Sequence, residues 1–294
     1  MSLVQKTRVV LEMIKFEHSI FALPFALTGA MLAIRGAGLT TAELAWKLLW
    51  IVTAMVAARS AAMAFNRVVD ADIDAENPRT KMRAIPAGQV SKGFTWGFIA
   101  FWSAVFVFAS WRLNPLCLAL SPVALAVVLG YSYTKRFTAA AHLVLGVALG
   151  IAPLAAWIAI RGEFSWPVTL LSAAVMLWVA GFDVIYSCQD AEFDRDRGLH
   201  SLPAVLGVGR ALALSRLFHL AMIGLLVWLW TLADLGWVAL AGIVVAAALL
   251  AWEQSLVSAD DLSRVDAAFF TLNGYVSLLF CVFWGLDLFV FPAA

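Results

Sequence analysis

Residues 44–74 read LAWKLLWIVTAMVAARSAAMAFNRVVDADID. As far as Asn66 this is an apolar run long enough to cross a bilayer, carrying Lys47 near its start and Arg59 in its interior. Beyond that point the character changes, because Asn66, Asp70 and Asp74 follow one another at intervals of four residues. On a helix, groups four apart share one face. The stretch therefore predicts a membrane-spanning helix whose end carries a stacked row of oxygen-bearing side chains.

The surrounding sequence has the same apolar character. Of 294 residues, 63% are hydrophobic and 13% are charged, far from the balance of soluble globular domains. Apolar runs fall at about residues 16 to 34, 44 to 66, 94 to 111, 113 to 133, 140 to 160, 166 to 187, 211 to 231, 234 to 252 and 268 to 291. The expected fold is an all-α integral membrane protein, residues 1–294 forming a single transmembrane domain of about nine helices. Arg112, Asn114 and Pro115 place a turn between the third and fourth runs. Lys6, Arg8 and Lys15 precede the first run without a small-residue cleavage site after it, so it is read as a span and not a removable leader. Gly146 and Gly150 form a GxxxG, which favours close helix packing over chemistry.

Charge location matters more than total charge. Twenty Lys and Arg against nineteen Asp and Glu give a net of +1, so nothing advertises a nucleic-acid partner. Basic residues concentrate in the N-terminus and alternate loops, at Arg67, Arg79, Lys81, Arg83, Lys92, Lys135, Arg136, Arg195, Arg197, Arg210, Arg216 and Arg264. The positive-inside rule puts those segments in the cytoplasm, with the N-terminus inside and, for an odd number of spans, the C-terminus outside. The expected location is a bacterial inner membrane, with lipid as the surrounding partner. Cys117, Cys188 and Cys281 are too scattered for a zinc site and read as buried or lipid-facing thiols.

A second acidic row, Asp190-Ala-Glu-Phe-Asp194-Arg-Asp-Arg-Gly198, repeats the four-residue spacing at the end of the sixth run. Like charges stacked in this way repel, and a cation among them removes the repulsion. Oxygen donors without His or Cys suit magnesium or another hard ion. A solvated acidic helix end neutralised by nearby arginines is the bland alternative for either row alone. Seven residues before Asn66 and Asp190 lie Arg59 and Asp183, each on the face of its own row and each within the bilayer. Such charges are costly unless they face a partner or a cavity, so an Arg59–Asp183 ion pair and substrate contact both stay open. Arg79, Lys81, Arg83, Lys135 and Arg136 offer cations for phosphate oxygens, although topology sorting also places basic residues there. Tyr131 and Tyr133 fit an interfacial aromatic belt. Tyr186, four residues before Asp190, is the better site candidate. Acids, hard cations and basic groups at the rim of a lipid-accessible bundle suit an amphiphile with an anionic head, of which a polyprenyl diphosphate is one form.

These motifs together resemble the UbiA superfamily of intramembrane aromatic prenyltransferases. Asn66-x-x-x-Asp70-x-x-x-Asp74, followed by Asn77-Pro-Arg-Thr-Lys-Met-Arg83-Ala-Ile-Pro86-Ala-Gly88, is similar to the family's first acidic motif. Asp183-x-x-Tyr186-x-x-x-Asp190-x-x-x-Asp194 is similar to the second. Tyr131-Ser-Tyr-Thr-Lys135-Arg136 and Lys15-Phe-Glu-His18 resemble the basic segment after the fourth helix and the polar patch on the first. The resemblance implies a helical bundle around a central cavity with a cytoplasmic cap. It also implies two Mg²⁺ ions held by Asn66, Asp70, Asp74, Asp190 and Asp194, with the four aspartates as the catalytic set. By the same likeness Asn66, Arg83 and Lys135 meet the diphosphate; Arg79, Lys81 and Arg136 join them as candidate diphosphate contacts from their positions, and His18, Arg59, Asp183 and Tyr186 are the candidates to orient a small aromatic acceptor. Arg67 departs from the family, many of whose members carry Asp there, which removes one potential metal ligand.

Within the family, Phe16-Glu-His18 and Ala64-Phe-Asn-Arg67 look most like the 4-hydroxybenzoate polyprenyltransferase group of ubiquinone biosynthesis, including relatives in the futalosine-type menaquinone route. Both acceptors are aromatic acids. Haem O or chlorophyll synthases would use larger ones. A transporter or cation channel is the rival of another class, since Arg59 and Asp183 would also suit an ion path, but transporter sites favour broken helices at the midplane.

Overall fold

In the computed structural model, the residues described are 3–13 and 23–292, and among them all regular structure is helical. Eight helices are long and apolar enough to cross a bilayer. They are α3 (Thr41–Val69), α5 (Lys92–Leu113), α6 (Pro115–Thr134), α7 (Ala141–Arg161), α8 (Trp166–Ser187, continued to Asp196), α11 (Val208–Leu232), α12 (Trp237–Ser255) and α13 (Asn273–Phe289, preceded by a π-helical segment Ala267–Leu272). The first expected run, 16 to 34, is represented among the described residues by the twelve-residue α2 (Leu23–Ile34). Shorter helices are α1 (Leu3–Met13), α4 (Ala71–Glu76), α9 (Ala191–Asp196) and α10 (Leu202–Leu206).

Local chemistry sets several boundaries. The Ser91 hydroxyl accepts the Phe94 N–H at 3.2 Å and starts α5. The turn read from Arg112, Asn114 and Pro115 is present: α5 stops at Leu113, and the Asn114 side-chain oxygen accepts the Cys117 N–H at 2.8 Å to open α6. Ser165 caps α8, with Pro167 in its first turn.

The chain forms two compact units. One draws on the described part of Met1–Ser19 with Ala42–Tyr133, the other on the described part of Ile20–Thr41 with Thr134–Ala294. In the first, Val10 of α1 joins Ala64, Val68, Ala71, Ala84, Ile85, Val90 and Ile99 in a small apolar core around the end of α3. At the opposite end of α3, the Arg112 guanidinium lies 4.7 Å from the Trp46 ring and 5.7 Å from that of Trp50. In the second unit, α8 packs against α7 and α11, α12 against α13, and α2 against α7 and α13. Phe25, Trp178, Phe280 and Trp284, all buried, form its aromatic centre.

Within a bilayer, lipid is as apolar as leucine, so helices associate through close packing and buried polar contacts. Gly146 and Gly150 act in this way: a Cβ on either would run into the backbone of α8, at the carbonyls of Met176 and Ser172. The packing expectation for the GxxxG pair holds.

Candidate active site

Each acidic row sits where its helix breaks. In the first unit α3 ends at Val69, Asp70 leaves helical geometry at φ −88°, ψ 2°, and α4 begins at Ala71. In the second, α8 ends at Ser187, a tight 3₁₀ turn covers Cys188–Asp190, and α9 begins at Ala191 with Asp190 at φ −106°, ψ 7°. The first aspartate of each row thus occupies the same bridge-region conformation and opens a six-residue helix carrying the second. At the first break the four-residue ladder survives: the Asp70 N–H donates to Asn66 O at 2.9 Å and the Asp74 N–H to Asp70 O at 2.7 Å. Asn66, Asp70 and Asp74 therefore stay in register through it.

Both acids of the first row are buried, Asp70 at 2% and Asp74 at 4% exposure, so each needs compensation. The Asn66 amide donates to Asp70 Oδ2 at 3.0 Å. Arg83 Nη1 donates to both Asp74 oxygens, at 2.7 and 2.8 Å. The turn after α4 brings Arg83 back: Asn77 Oδ1 accepts the Arg79 N–H, the Asn77 carbonyl accepts the Lys81 N–H, and the Thr80 hydroxyl donates to Asp74 O. Arg79 and Lys81 themselves are exposed.

Arg67, read as the loss of a ligand, is a gain of charge. It interacts electrostatically with Asp70, Asp74 and Arg83, and its Nη1 approaches Asn66 Oδ1 at 3.4 Å. Arg59 is half-buried two turns up α3, and its Nε has no hydrogen-bond partner among the described residues. Tyr131 of α6 interacts with Arg59, Arg67 and Asp70. The structure separates it from Tyr133, which is exposed and stacks its edge on Phe65. Both tyrosines fit an aromatic belt by position, yet residues two apart on a helix face different ways, and that offset is the signal that tells them apart.

In the second unit Asp194 is buried and interacts with Lys135, Asp190 and His142. Backbone bonds tie the same groups, from the His200 N–H to Lys135 O at 2.7 Å and from the Leu199 N–H to Asp194 O at 2.8 Å. Arg136 is exposed. Asp183 pairs with a residue that the sequence reading missed: His142 Nδ1 lies 2.7 Å from Asp183 Oδ2. The Leu202 N–H donates to the other ring nitrogen, Nε2, at 3.1 Å. A backbone N–H only donates, so Nε2 is the acceptor and a neutral His142 carries its proton on Nδ1, toward Asp183. His142 links α7, α8 and the start of α10. Tyr186 is half-buried, its ring 4.2 Å from that of Phe269 and 5.9 Å from that of Phe270. His18 lies outside the described residues.

The donor set suits a hard divalent ion in kind, being carboxylate and amide oxygens, with Asp70, Asp74 and Asp194 buried and Asn66 and Asp190 half-buried. Within either unit, no three His, Cys, Asp or Glu side chains among the described residues converge closely enough to hold a metal, and Asp74 is engaged by Arg83.

Membrane-spanning helices with two matched acidic breaks and cations beside them mark the class of integral membrane proteins that gather their polar groups at helix ends. The chain belongs to that class through a family: the UbiA prenyltransferase family model matches residues 22–286, and this chain is a member. It is 32% identical over 226 residues to the 4-hydroxybenzoate octaprenyltransferase of Thiobacillus denitrificans, covering 76% of each chain. It is 30% identical over 241 residues to the 4-hydroxybenzoate octaprenyltransferase of Cupriavidus metallidurans, covering 82% of this chain and 81% of that one. Among solved structures, the apo form of a UbiA homologue from Aeropyrum pernix K1 matches with TM-score 0.81 and 37% identity, over 91% of this chain and 97% of the other. A UbiA homologue from Archaeoglobus fulgidus bound to GPP and Mg²⁺ shares the fold, with TM-score 0.73 and 18% identity over 95% and 99% of the two chains. The resemblance first drawn from the motifs is thus a family membership, and the protein is an integral membrane prenyltransferase.

Proposed function

We propose that this chain transfers a polyprenyl group from a polyprenyl diphosphate to a small aromatic acid of the 4-hydroxybenzoate type, on the route to a quinone. The observation that carries the proposal is the pair of acidic breaks: Asp70 and Asp190 adopt one backbone geometry, each leading into a helix whose own acid, Asp74 or Asp194, is buried beside a cation. The 4-hydroxybenzoate octaprenyltransferases similar over about three quarters of the chain or more supply the acceptor class.

Asn66, Asp70, Asp74, Asp190 and Asp194 would hold Mg²⁺, two ions in all. When bound, Mg²⁺ supplies Lewis acidity, stabilising negative charge on the departing diphosphate. Arg83 and Lys135 stabilise the same charge, with Arg79, Lys81 and Arg136 on the outer phosphate oxygens. The allylic C–O bond breaks with its electron pair on the diphosphate. The aromatic ring then forms the new C–C bond, and the ring proton leaves with the diphosphate. Arg59, Asp183, Tyr186 and His18 orient the acceptor. His142 holds Asp183 by one oxygen and leaves its other, Oδ1, for the acceptor. The N-terminus and both acidic breaks face the cytoplasm in this reading.

The test supplies membranes containing the protein with Mg²⁺, labelled geranyl diphosphate and a panel of aromatic acids that includes 4-hydroxybenzoate. The expected result is a prenylated aromatic acid, with 4-hydroxybenzoate among the best acceptors. A folded protein that prenylates nothing, or that moves ions instead, contradicts the proposal.

A further inference from the structure

Every fourth residue of α8 and its extension belongs to one series: Trp178, Phe182, Tyr186, Asp190 and Asp194. Within α8 the three aromatic members form a ridge along the helix, and this aromatic ladder ends just before the 3₁₀ turn that carries Asp190. The Trp178 and Phe182 rings lie 4.9 Å apart between centroids, and the π-helical segment Ala267–Leu272 packs on the ladder through Phe269. Phe269 of that segment lies 5.2 Å from Phe182 and 4.2 Å from Tyr186, and Phe270 lies 4.6 Å from Phe269.

A π-helical turn is wider than an α-helical turn, is rare, and concentrates at functional positions. Here a buried polar clip holds it. Asn273, fully buried, accepts the Trp178 indole N–H on Oδ1 at 2.7 Å, which fixes which end of its amide is oxygen. Its Nδ2 then donates to the Ala268 and Phe269 carbonyls at 3.1 Å each and approaches Glu253 Oε1 of α12 at 3.3 Å. A fully buried glutamate and asparagine between three transmembrane helices are costly to maintain, and here the asparagine, with the glutamate accepting from it, grips the carbonyls of the wide turn itself.

We infer that Asn273, clamped by Trp178 and Glu253, is a positioning residue that shapes the π-helical turn so that Phe269 and Phe270, with Phe182 and Tyr186, form the aromatic wall against the allylic end of the prenyl donor. This rests on the prenyl-transfer reading above. When the allylic C–O bond breaks with its electrons on diphosphate, the carbon left behind is cationic, and ring faces stabilise cations when water is excluded. The wall also decides the fate of that carbon. The acceptor ring forms a C–C bond and gives up a proton, whereas water entering through a loosened wall forms a C–O bond, gives up a proton and yields a prenyl alcohol.

The experiment compares the full-length wild type with Phe269→Leu, Phe269→Tyr and Asn273→Leu, using geranyl diphosphate and 4-hydroxybenzoate and counting prenylated acid and geraniol in one reaction. Phe269→Leu is expected to lower kcat about tenfold while KM for the acceptor stays within about twofold, and to raise the share of geraniol. Phe269→Tyr restores most of the rate. Asn273→Leu shifts the partition toward geraniol as well, since the turn relaxes. If Asn273→Leu does not fold, the two Phe269 variants decide alone. Folded variants with wild-type rate and partition overturn the inference while leaving prenyl transfer standing. A wild type inert toward every acceptor removes the transfer reading and the inference together.

Discussion

Arg83 and Asp74, expected on phosphate and on metal respectively, are bound to each other, with Arg83 Nη1 between both carboxylate oxygens at 2.7 and 2.8 Å. The pair is mostly out of solvent, with 26% of the Arg83 side chain and 6% of the Asp74 side chain exposed. The same contact that compensates the buried acid also withholds it from a cation, so donor binding, by drawing Arg83 onto phosphate, would release Asp74 for metal.

Removing that cation should therefore expose a metal response. Arg83→Ala leaves Asp74 without its partner, at a cost of about 3 kcal/mol, and should melt lower than wild type in detergent. Without diphosphate, Mg²⁺ should raise the melting temperature of the variant by more than that of the wild type. Equal shifts in the two proteins would mean that Arg83 does not compete with the ion.

Asp70→Ala and Asp190→Ala should each lower turnover by at least about a hundredfold, the scale of losing a group that stabilises charge in the transition state. Expression and elution profile should stay near those of wild type. Ordinary activity in either variant counts against the role proposed for both breaks.

His142 orients Asp183 through Nδ1 while accepting the Leu202 N–H. His142→Leu leaves both partners without their hydrogen bonds, whereas His142→Gln supplies one donor and one acceptor. The leucine variant should raise KM for the aromatic acid severalfold with KM for the prenyl donor little changed, and glutamine should recover part of the loss. Identical kinetics for leucine, glutamine and wild type would reduce His142 to a packing residue.

Gly146→Ala should be destabilising although alanine is the better helix former, because its Cβ would meet the Met176 carbonyl of α8. A penalty of about 1–3 kcal/mol follows from such overpacking, read as a lower melting temperature. Gly130, with open space around its Cβ position, should tolerate the same change.

The bundle could be read from the sequence because the bilayer fixes how long an apolar run must be, and the break at Asn114 and Pro115 could be read because turn residues interrupt one. The acidic rows were also visible from their four-residue spacing, which at the first break survives in the backbone hydrogen bonds. The breaks themselves were hidden, because a row that is continuous and one that is interrupted at Asp70 have the same spacing. His142 gave no signal: it lies alone in an apolar run, and its partners are 41 and 60 residues away. The π-helical turn at Ala267–Leu272 was equally silent, for its sequence AAFFTL reads as ordinary apolar helix until Asn273 is seen taking its carbonyls. Arg67 was visible as a missing ligand, but its interactions with Asp70, Asp74 and Arg83 were not, since they depend on those residues folding around it.

The most direct measurement counts released diphosphate and prenylated acid together in one reaction of purified protein, geranyl diphosphate and 4-hydroxybenzoate. Equal amounts of the two are expected, both abolished by a chelator and restored by Mg²⁺. Folded protein that releases no diphosphate, or that forms product undiminished in the chelator, would contradict Mg²⁺-dependent prenyl transfer.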